Sequence, residues 1–425
     1  MIRLRYAAYI TILFLQVAGC SSGSPNQTQK ISKDSTYVAP LPGKLSDAEY
    51  NRLSKAVASF YDSFLLRRGF NGSILVAKKG QIIFEDYHGF GNIQKRDSLN
   101  EHSAFHLASV SKTFTAMATL KLAEQGKLKL DDNIKLYFPT LPYEGITIKM
   151  LLSHRSGLPN YLYFLQKLGW DVKKFSTNTD VLNYLVTYKP ALTSTPGTHF
   201  SYCNTNFALL GLIIEKASGT SYSDYLQKTI FTPLQMNDTY VFNMSKDSLR
   251  AMPSYNWRGR QEGYTFLDVG FGDKNIYSTP RDLLKWDQAL YNNQLFSKQT
   301  LDIAFTPYSN EKAGTRNYGY GWRMNLYPNG RKIIYHNGWW HGNNTVLMRL
   351  IQDSVTIIIL GNKYNRAIYD AKKMVNIFQP YFITDEEDKG DNLKEADSMT
   401  NLNKPTLVKR SRRKASHKKK YHRKR

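Results

Sequence analysis

Cysteine is nearly absent, with 2 in 425 residues, so a disulfide-stapled scaffold is excluded. Acidic residues are scarce too: 34 face 58 lysines and arginines, for a formal net charge of +24. No apolar run reaches the roughly 20 residues that a membrane-spanning helix needs. No repeat of 20–50 residues recurs, and no phosphate-binding glycine loop is found. His154 and His199 stand in loops without ligand spacing, and Asp268 and Asp273 flank glycines in a turn. Neither a metal nor an organic cofactor is therefore implied. What is present is a 41% apolar fraction, enough for a substantial core and against wholesale disorder.

The excess positive charge is unevenly placed. From Ser398 to the end there are 12 lysines or arginines and no acid, about half the net charge. Just before it, Ile383–Asp397 carries seven acids against Lys389 and Lys394. The whole stretch 383–425 reads as an acidic-then-basic disordered tail. Its basic end suits any polyanion, including anionic polymers of a cell envelope.

At the other end, Arg3 and Arg5 precede the short apolar run Ala7–Leu15 and then Val17-Ala18-Gly19-Cys20. Such a run suits a secretory signal. The small residues before Cys20 resemble the lipobox of bacterial lipoproteins. That resemblance implies cleavage after Gly19, a diacylglyceryl group on Cys20 and a bacterial envelope location, anchored to a membrane. Residues 1–19 are then signal peptide and 20–45 a polar, flexible tether. Export also argues against nucleic acid as the partner of the basic tail.

Between tether and tail, residues 46–382 read as one unit. Ser46-Asp47-Ala48-Glu49 is a capping-box pattern, and Leu53, Val57, Phe60 and Phe64 follow at helical spacing to about Arg68. Ser73–Lys78 and Gln81–Tyr87 predict a hairpin turning at Lys79-Gly80. Thr113–Glu124 predicts a helix stopped by Gly126. A long, mostly helical and irregular stretch, 130–315, precedes three strands at Ile333–Tyr335, Thr345–Ile351 and Val355–Leu360. A final helix is expected near Ala367–Phe378. The order predicts an α+β fold: an antiparallel sheet flanked by N- and C-terminal helices, plus a mostly helical subdomain.

Chemistry is suggested first by Ser109-Val110-Ser111-Lys112. A spacing of three sets Ser109 and Lys112 one helical turn apart on one face. A serine needs a base to become a nucleophile, and lysine serves only where its surroundings favour the neutral amine. The spacing alone is common, recurring at Ser309–Lys312, Ser411–Lys414 and Ser416–Lys419. Ser109 differs by opening an apolar helix. Tyr202-Cys203-Asn204 offers a phenol for proton transfer and an amide donor and acceptor. His336-Asn337-Gly338, read as closing a strand, brings a glycine that permits close backbone approach.

Taken in order, Ser-x-x-Lys, Tyr-x-Asn and a basic residue-x-Gly on a late strand resemble the penicillin-recognising serine hydrolases. Tyr202 in the middle motif is similar to the branch of class C β-lactamases, D-alanyl-D-alanine carboxypeptidases and esterases. Leu151–Leu158, Pro196–Tyr202 and Ile276–Pro280 look like that family too. The resemblance implies a β-lactamase-like fold and an acyl-enzyme mechanism on a small peptide, amide or ester. It implies Ser109 as nucleophile, Lys112 as its base or electrostatic partner and Tyr202 as proton shuttle. Asn204 would position the substrate amide, and the backbone N–H groups of Ser109 and Trp339, after Gly338, would form the oxyanion hole.

One departure bears on substrate. The usual Lys-Thr-Gly of the lactamases is here His336-Asn337-Gly338, so a substrate carboxylate is held less firmly. Histidine at this place resembles the peptidase and esterase relatives, which favours a D-peptidase or an esterase over a dedicated lactamase, with the D-alanyl-D-alanine carboxypeptidase type first. An esterase, a class C-like β-lactamase and a catalytically weak penicillin-binding sensor are the alternatives on the same site. Trp339 and Trp340 are expected either to wall an acyl pocket or to pack against the helical subdomain.

Overall fold

The computed structural model describes residues 41–311 and 314–380. The signal peptide, Cys20, most of the tether and the charged tail lie outside the described residues. Helix α1 (Asp47–Phe64) starts where Ser46 Oγ accepts the Glu49 N–H at 3.3 Å. The reciprocal half of the predicted capping box is missing, because the Glu49 carboxylate pairs instead with Lys78 at 2.7 Å. The helix ends at Phe64, and a 3-10 turn, Leu66–Arg68, completes the expected span.

Strands β1 (Gly72–Lys78) and β2 (Gln81–His88) form the predicted hairpin. Its two turn residues, Lys79 and Gly80, both have positive φ (52° and 77°), as a tight hairpin of right-handed twist requires. Five more strands complete the sheet: β3 (Arg316–Tyr318), β4 (Arg323–Leu326), β5 (Lys332–Trp340), β6 (Asn343–Leu350) and β7 (Val355–Gly361). Their order is β3-β4-β5-β6-β7-β1-β2, and every neighbouring pair is antiparallel. Two of these strands were not anticipated. β3 and β4 are only three and four residues long, too short for the polar–apolar alternation of β4 (Arg323-Met324-Asn325-Leu326) to stand out.

Side chains alternate across the sheet. Ile74, Val76, Ile357 and Ile359 join Leu53 and Val57 of α1 on one face. Leu75, Ala77, Ile358 and Leu360 face the other way, into the larger core with Phe114 and Trp286. Each valine, leucine, isoleucine or phenylalanine among them contributes about 1.5–3 kcal/mol on burial. The expected last helix is broken into the short turns Arg366–Asp370, Ala371–Met374 and Val375–Ile377, which still cover the α1 face through Ile368, Met374 and Val375.

Three further helices frame the site: α2 (Ser111–Glu124), α3 (Asn204–Ser218) and α4 (Pro280–Ala289). The first ten residues of α2 are all buried, which marks a central helix wrapped on every side. α4 begins as the sequence dictates, with Thr279 capping the Asp282 N–H and proline in the first turn. Its Trp286 stacks on Phe114 of α2 at 4.4 Å.

Candidate active site

Ser109 sits on a 3-10 turn, Ala108–Val110, that runs directly into α2. The residue before it, Ala108, is left-handed (φ 49°), a strain of about 1–2 kcal/mol for a residue with a Cβ. His106 holds that residue, since its Nδ1 accepts the Ala108 N–H at 3.0 Å. The remaining ring proton then lies on Nε2, which meets Asn275 Oδ1 at 2.7 Å. Burial pushes the His106 pKa down to about 4.

Lys112, one turn on, is fully buried. Its Nζ lies 3.0 Å from Ser109 Oγ, 2.8 Å from Asn204 Oδ1 and 2.8 Å from the Asp273 carbonyl oxygen. Asn204 is the first residue of α3, so the start of one helix is clasped to the start of another by the Lys112 side chain. Asp273 is fixed in turn: its Oδ2 accepts the Tyr161 hydroxyl at 2.9 Å and meets Lys274 Nζ at 3.4 Å.

Tyr202 stands just ahead of α3 with Lys112 Nζ 5.1 Å and Arg323 Cζ 4.9 Å from its ring centroid. Two cations therefore face one phenol. His336 lies 6.2 Å from the Tyr202 ring, centroid to centroid. It does not close its strand; β5 continues through Asn337 and Gly338 to Trp340. His336 Nδ1 donates to the Asn337 carbonyl at 2.7 Å, leaving Nε2 to accept the Tyr318 hydroxyl at 3.2 Å. Burial, then Arg323 and Lys112, hold its pKa well below the ordinary value, so the imidazole is neutral in the neutral range.

Gly338 brings β5 against the nucleophile turn. A Cβ there would overlap Thr345 Oγ1 and the Leu107 carbonyl oxygen, and would lie 3.0 Å from Ala108 Cβ. Thr345 Oγ1 secures the same junction by donating to Leu107 O at 2.8 Å. Gly338→Ala is expected to cost about 1–3 kcal/mol of stability and, by shifting Ser109 against the strand, about 10²-fold in kcat. Urea denaturation and steady-state kinetics check both; an alanine variant with unchanged kcat would contradict the close approach.

With Leu162, Asn204 and Lys274, Trp339 and Trp340 line a cavity of about 10 Å³ at Ser109, room for about one water and not for an acyl group. Trp340 also hydrogen-bonds Asp268 and joins the large core. Among the described residues, no group of three or more His, Cys, Asp or Glu is set to hold a metal ion. Cys203 is buried, and burial raises its pKa to about 11.

Ser109, Lys112, Tyr202, Asn204, His336, Gly338 and Trp339 thus come together, from two helices, a loop and a strand. Cys20 lies outside the described residues. Sequence reasoning missed Arg323, Tyr318 and the Asp273 carbonyl. Arg323 sits on a strand too short to show, and a backbone carbonyl leaves no mark in residue identity.

Residues 65–378 match the Beta-lactamase family. The chain belongs to that family. It is a serine hydrolase of the acyl-transfer type, with a β-lactamase-like fold. Penicillin-binding protein 4* of Bacillus subtilis is 33% identical over 347 residues, 77% of each chain. The octameric penicillin-binding protein homologue of Pyrococcus abyssi is similar in structure (TM-score 0.64, 26% identity, 76% of this chain and 77% of that one). A D-amino acid amidase of Ochrobactrum anthropi shares the fold at 20% identity, with a TM-score of 0.61 over 77% and 97% of the two chains.

Proposed function

We propose that this family member is a D-peptidase of the D-alanyl-D-alanine carboxypeptidase type, working at the bacterial cell envelope. The observation that supports it most is the pairing of Tyr202 with two buried or half-buried cations, one of which also touches Ser109. In this reading Ser109 Oγ attacks the substrate carbonyl carbon, and its proton passes to Tyr202 as the phenolate. Lys112 and Arg323 offset the phenolate charge. The tetrahedral oxyanion rests on the backbone N–H groups of Ser109 and Trp339; losing one such donor costs about 3 kcal/mol. Tyr202 then protonates the leaving amine, the C–N bond breaks, and the acyl group remains on Ser109. Water, deprotonated by the same phenolate, releases it. Asn204 holds the substrate amide and orients Lys112.

A carboxypeptidase substrate brings a carboxylate, which the neutral His336 is poorly suited to hold. Arg323 is the permanent cation beside Tyr202 and takes that role. KM for a D-Ala-D-Ala peptide is therefore expected to stay flat from about pH 5.5 to 8, where a titrating imidazolium would raise it above about 6.5. Arg323→Met should raise KM about 10- to 100-fold for the free acid relative to the C-terminal amide. An equal effect on both would remove Arg323 as the carboxylate anchor. The neutral His336 also favours the esterase alternative, so p-nitrophenyl esters and penicillins belong in the same panel. If ester turnover far exceeds peptide turnover, the carboxypeptidase reading fails.

The proposal includes a lipid anchor on Cys20 and contact of the basic tail with anionic envelope polymers. Both rest on residue pattern alone.

A further inference from the structure

His154 belongs to Leu151–Leu158, a stretch to which the chemistry above assigns no role. It ends the short helix Ile148–Leu152 in a particular way. The His154 N–H bonds to the Leu151 carbonyl and the Arg155 N–H to the Met150 carbonyl, and His154 itself is left-handed (φ 55°). That is a Schellman ending, whose left-handed position is usually glycine. A histidine there keeps a backbone conformation that glycine adopts freely. Its side chain is fully buried.

The buried imidazole and its own carbonyl grip the chain on both sides of Tyr202. The Ser201 N–H donates to the His154 carbonyl at 2.8 Å, and the Cys203 N–H donates to His154 Nδ1 at 3.1 Å. Between these two ties, the Tyr202 ring lies against the imidazole at 4.3 Å between centroids. Because Nδ1 accepts a backbone N–H, the ring proton is on Nε2, which has no hydrogen-bond partner among the described residues. Burial, then Lys112, His336 and Arg323, keep the ring from charging near neutrality. A protonated Nδ1 would break the tie to Cys203.

We infer that His154 is a positioning residue for Tyr202: its Nδ1 and carbonyl fix residues 201–203 so that the phenol stays between Lys112 and Arg323. The inference rests on Tyr202 being the proton shuttle proposed above. The left-handed backbone makes the test selective. His154→Gly relieves the backbone and deletes the acceptor. His154→Asn tolerates the same φ and returns an amide oxygen near the place of Nδ1, whereas His154→Gln carries its amide one bond too far.

In the full-length chain, the Gly variant is expected to lose a few degrees of melting temperature to the cavity, partly offset by the relieved backbone, to lose about 30- to 100-fold in kcat with KM within about threefold, and to shift the acidic limb of its pH–rate profile. The Asn variant should stay within about threefold of wild type, and the Gln variant should behave as Gly does. Wild-type kcat and pH profile in both Gly and Gln would overturn the inference, as would an Asn variant no better than Gly. If the Gly variant does not fold, the contrast between Asn and Gln decides alone. A 19F resonance from 3-fluorotyrosine at position 202 separates this inference from the catalytic reading. It should move in the Gly variant and return in the Asn variant, even if turnover proves to run through another group. An unmoved resonance would overturn the positioning role.

Discussion

Replacing Ser109 by alanine is expected to lower kcat by about 10⁴- to 10⁶-fold while leaving the fold intact. The size follows from the lack of a substitute nucleophile at that point. The neighbouring Ser111 hydroxyl is buried and accepts the Ile276 N–H at 3.1 Å, so it is committed to holding a short strand. Cys203 is buried, its thiol raised to about 11, with Sγ 3.3 Å from the Leu158 carbonyl. Deleting one hydroxyl also leaves Lys112 with Asn204 and the Asp273 carbonyl, so its ammonium is not stranded. Stability should change little, which steady-state kinetics and a thermal melt on one preparation will show. Residual activity near wild type would move the nucleophile elsewhere.

The second large effect is acid destabilisation. Three histidines, His106, His154 and His336, are buried and held neutral with pKa values below the ordinary value, in each case first by desolvation. In the unfolded chain each titrates near 6.5. Below that pH the unfolded state binds protons that the folded state refuses, so stability falls as pH falls. Three such protons give a slope of about 4 kcal/mol per pH unit once the unfolded histidines are charged. For His106 the loss continues down to its folded value of about 4. His341 runs the other way: despite burial, Asp268 raises its pKa, so its contribution is present in acid and lost as pH rises through the folded value. Its proton is bound in both states well below pH 6.5 and does not cancel the slope. Urea midpoints between pH 7 and 4.5 should drop steeply. A flat series would mean that the three imidazoles are hydrated or paired in the folded protein.

These effects separate what residue identity reveals from what it hides. Ser109 and Lys112 are legible because side-chain spacing along a helix survives in sequence, and the apolar, β-branched runs of β1, β6 and β7, buried on both faces, are equally readable. Tyr202 and Asn204 are legible only by order, since Tyr-x-Asn recurs at Tyr291, Tyr308, Tyr327 and Tyr335. The weak carboxylate hold expected of a histidine at 336 agrees with the buried, neutral ring, but the burial and the two cations from distant segments that keep it neutral leave no mark in its residue type. Arg323 was invisible because the strand that carries it spans four residues. His154 was legible as a motif member and illegible as a left-handed one; a Schellman ending with histidine shows only in three dimensions. The last helix, expected whole near Ala367–Phe378, is broken into short turns over residues 366–377 that cover the α1 face of the sheet.

The central claim is an acyl-enzyme on Ser109, and intact-mass spectrometry of the full chain with a penicillin tests it most directly. The account predicts a single covalent adduct of the intact antibiotic's mass, mapped by peptide digestion to Ser109 and absent from the Ser109→Ala variant. A folded wild-type chain that gains no mass, or an adduct mapped to another residue, would contradict it.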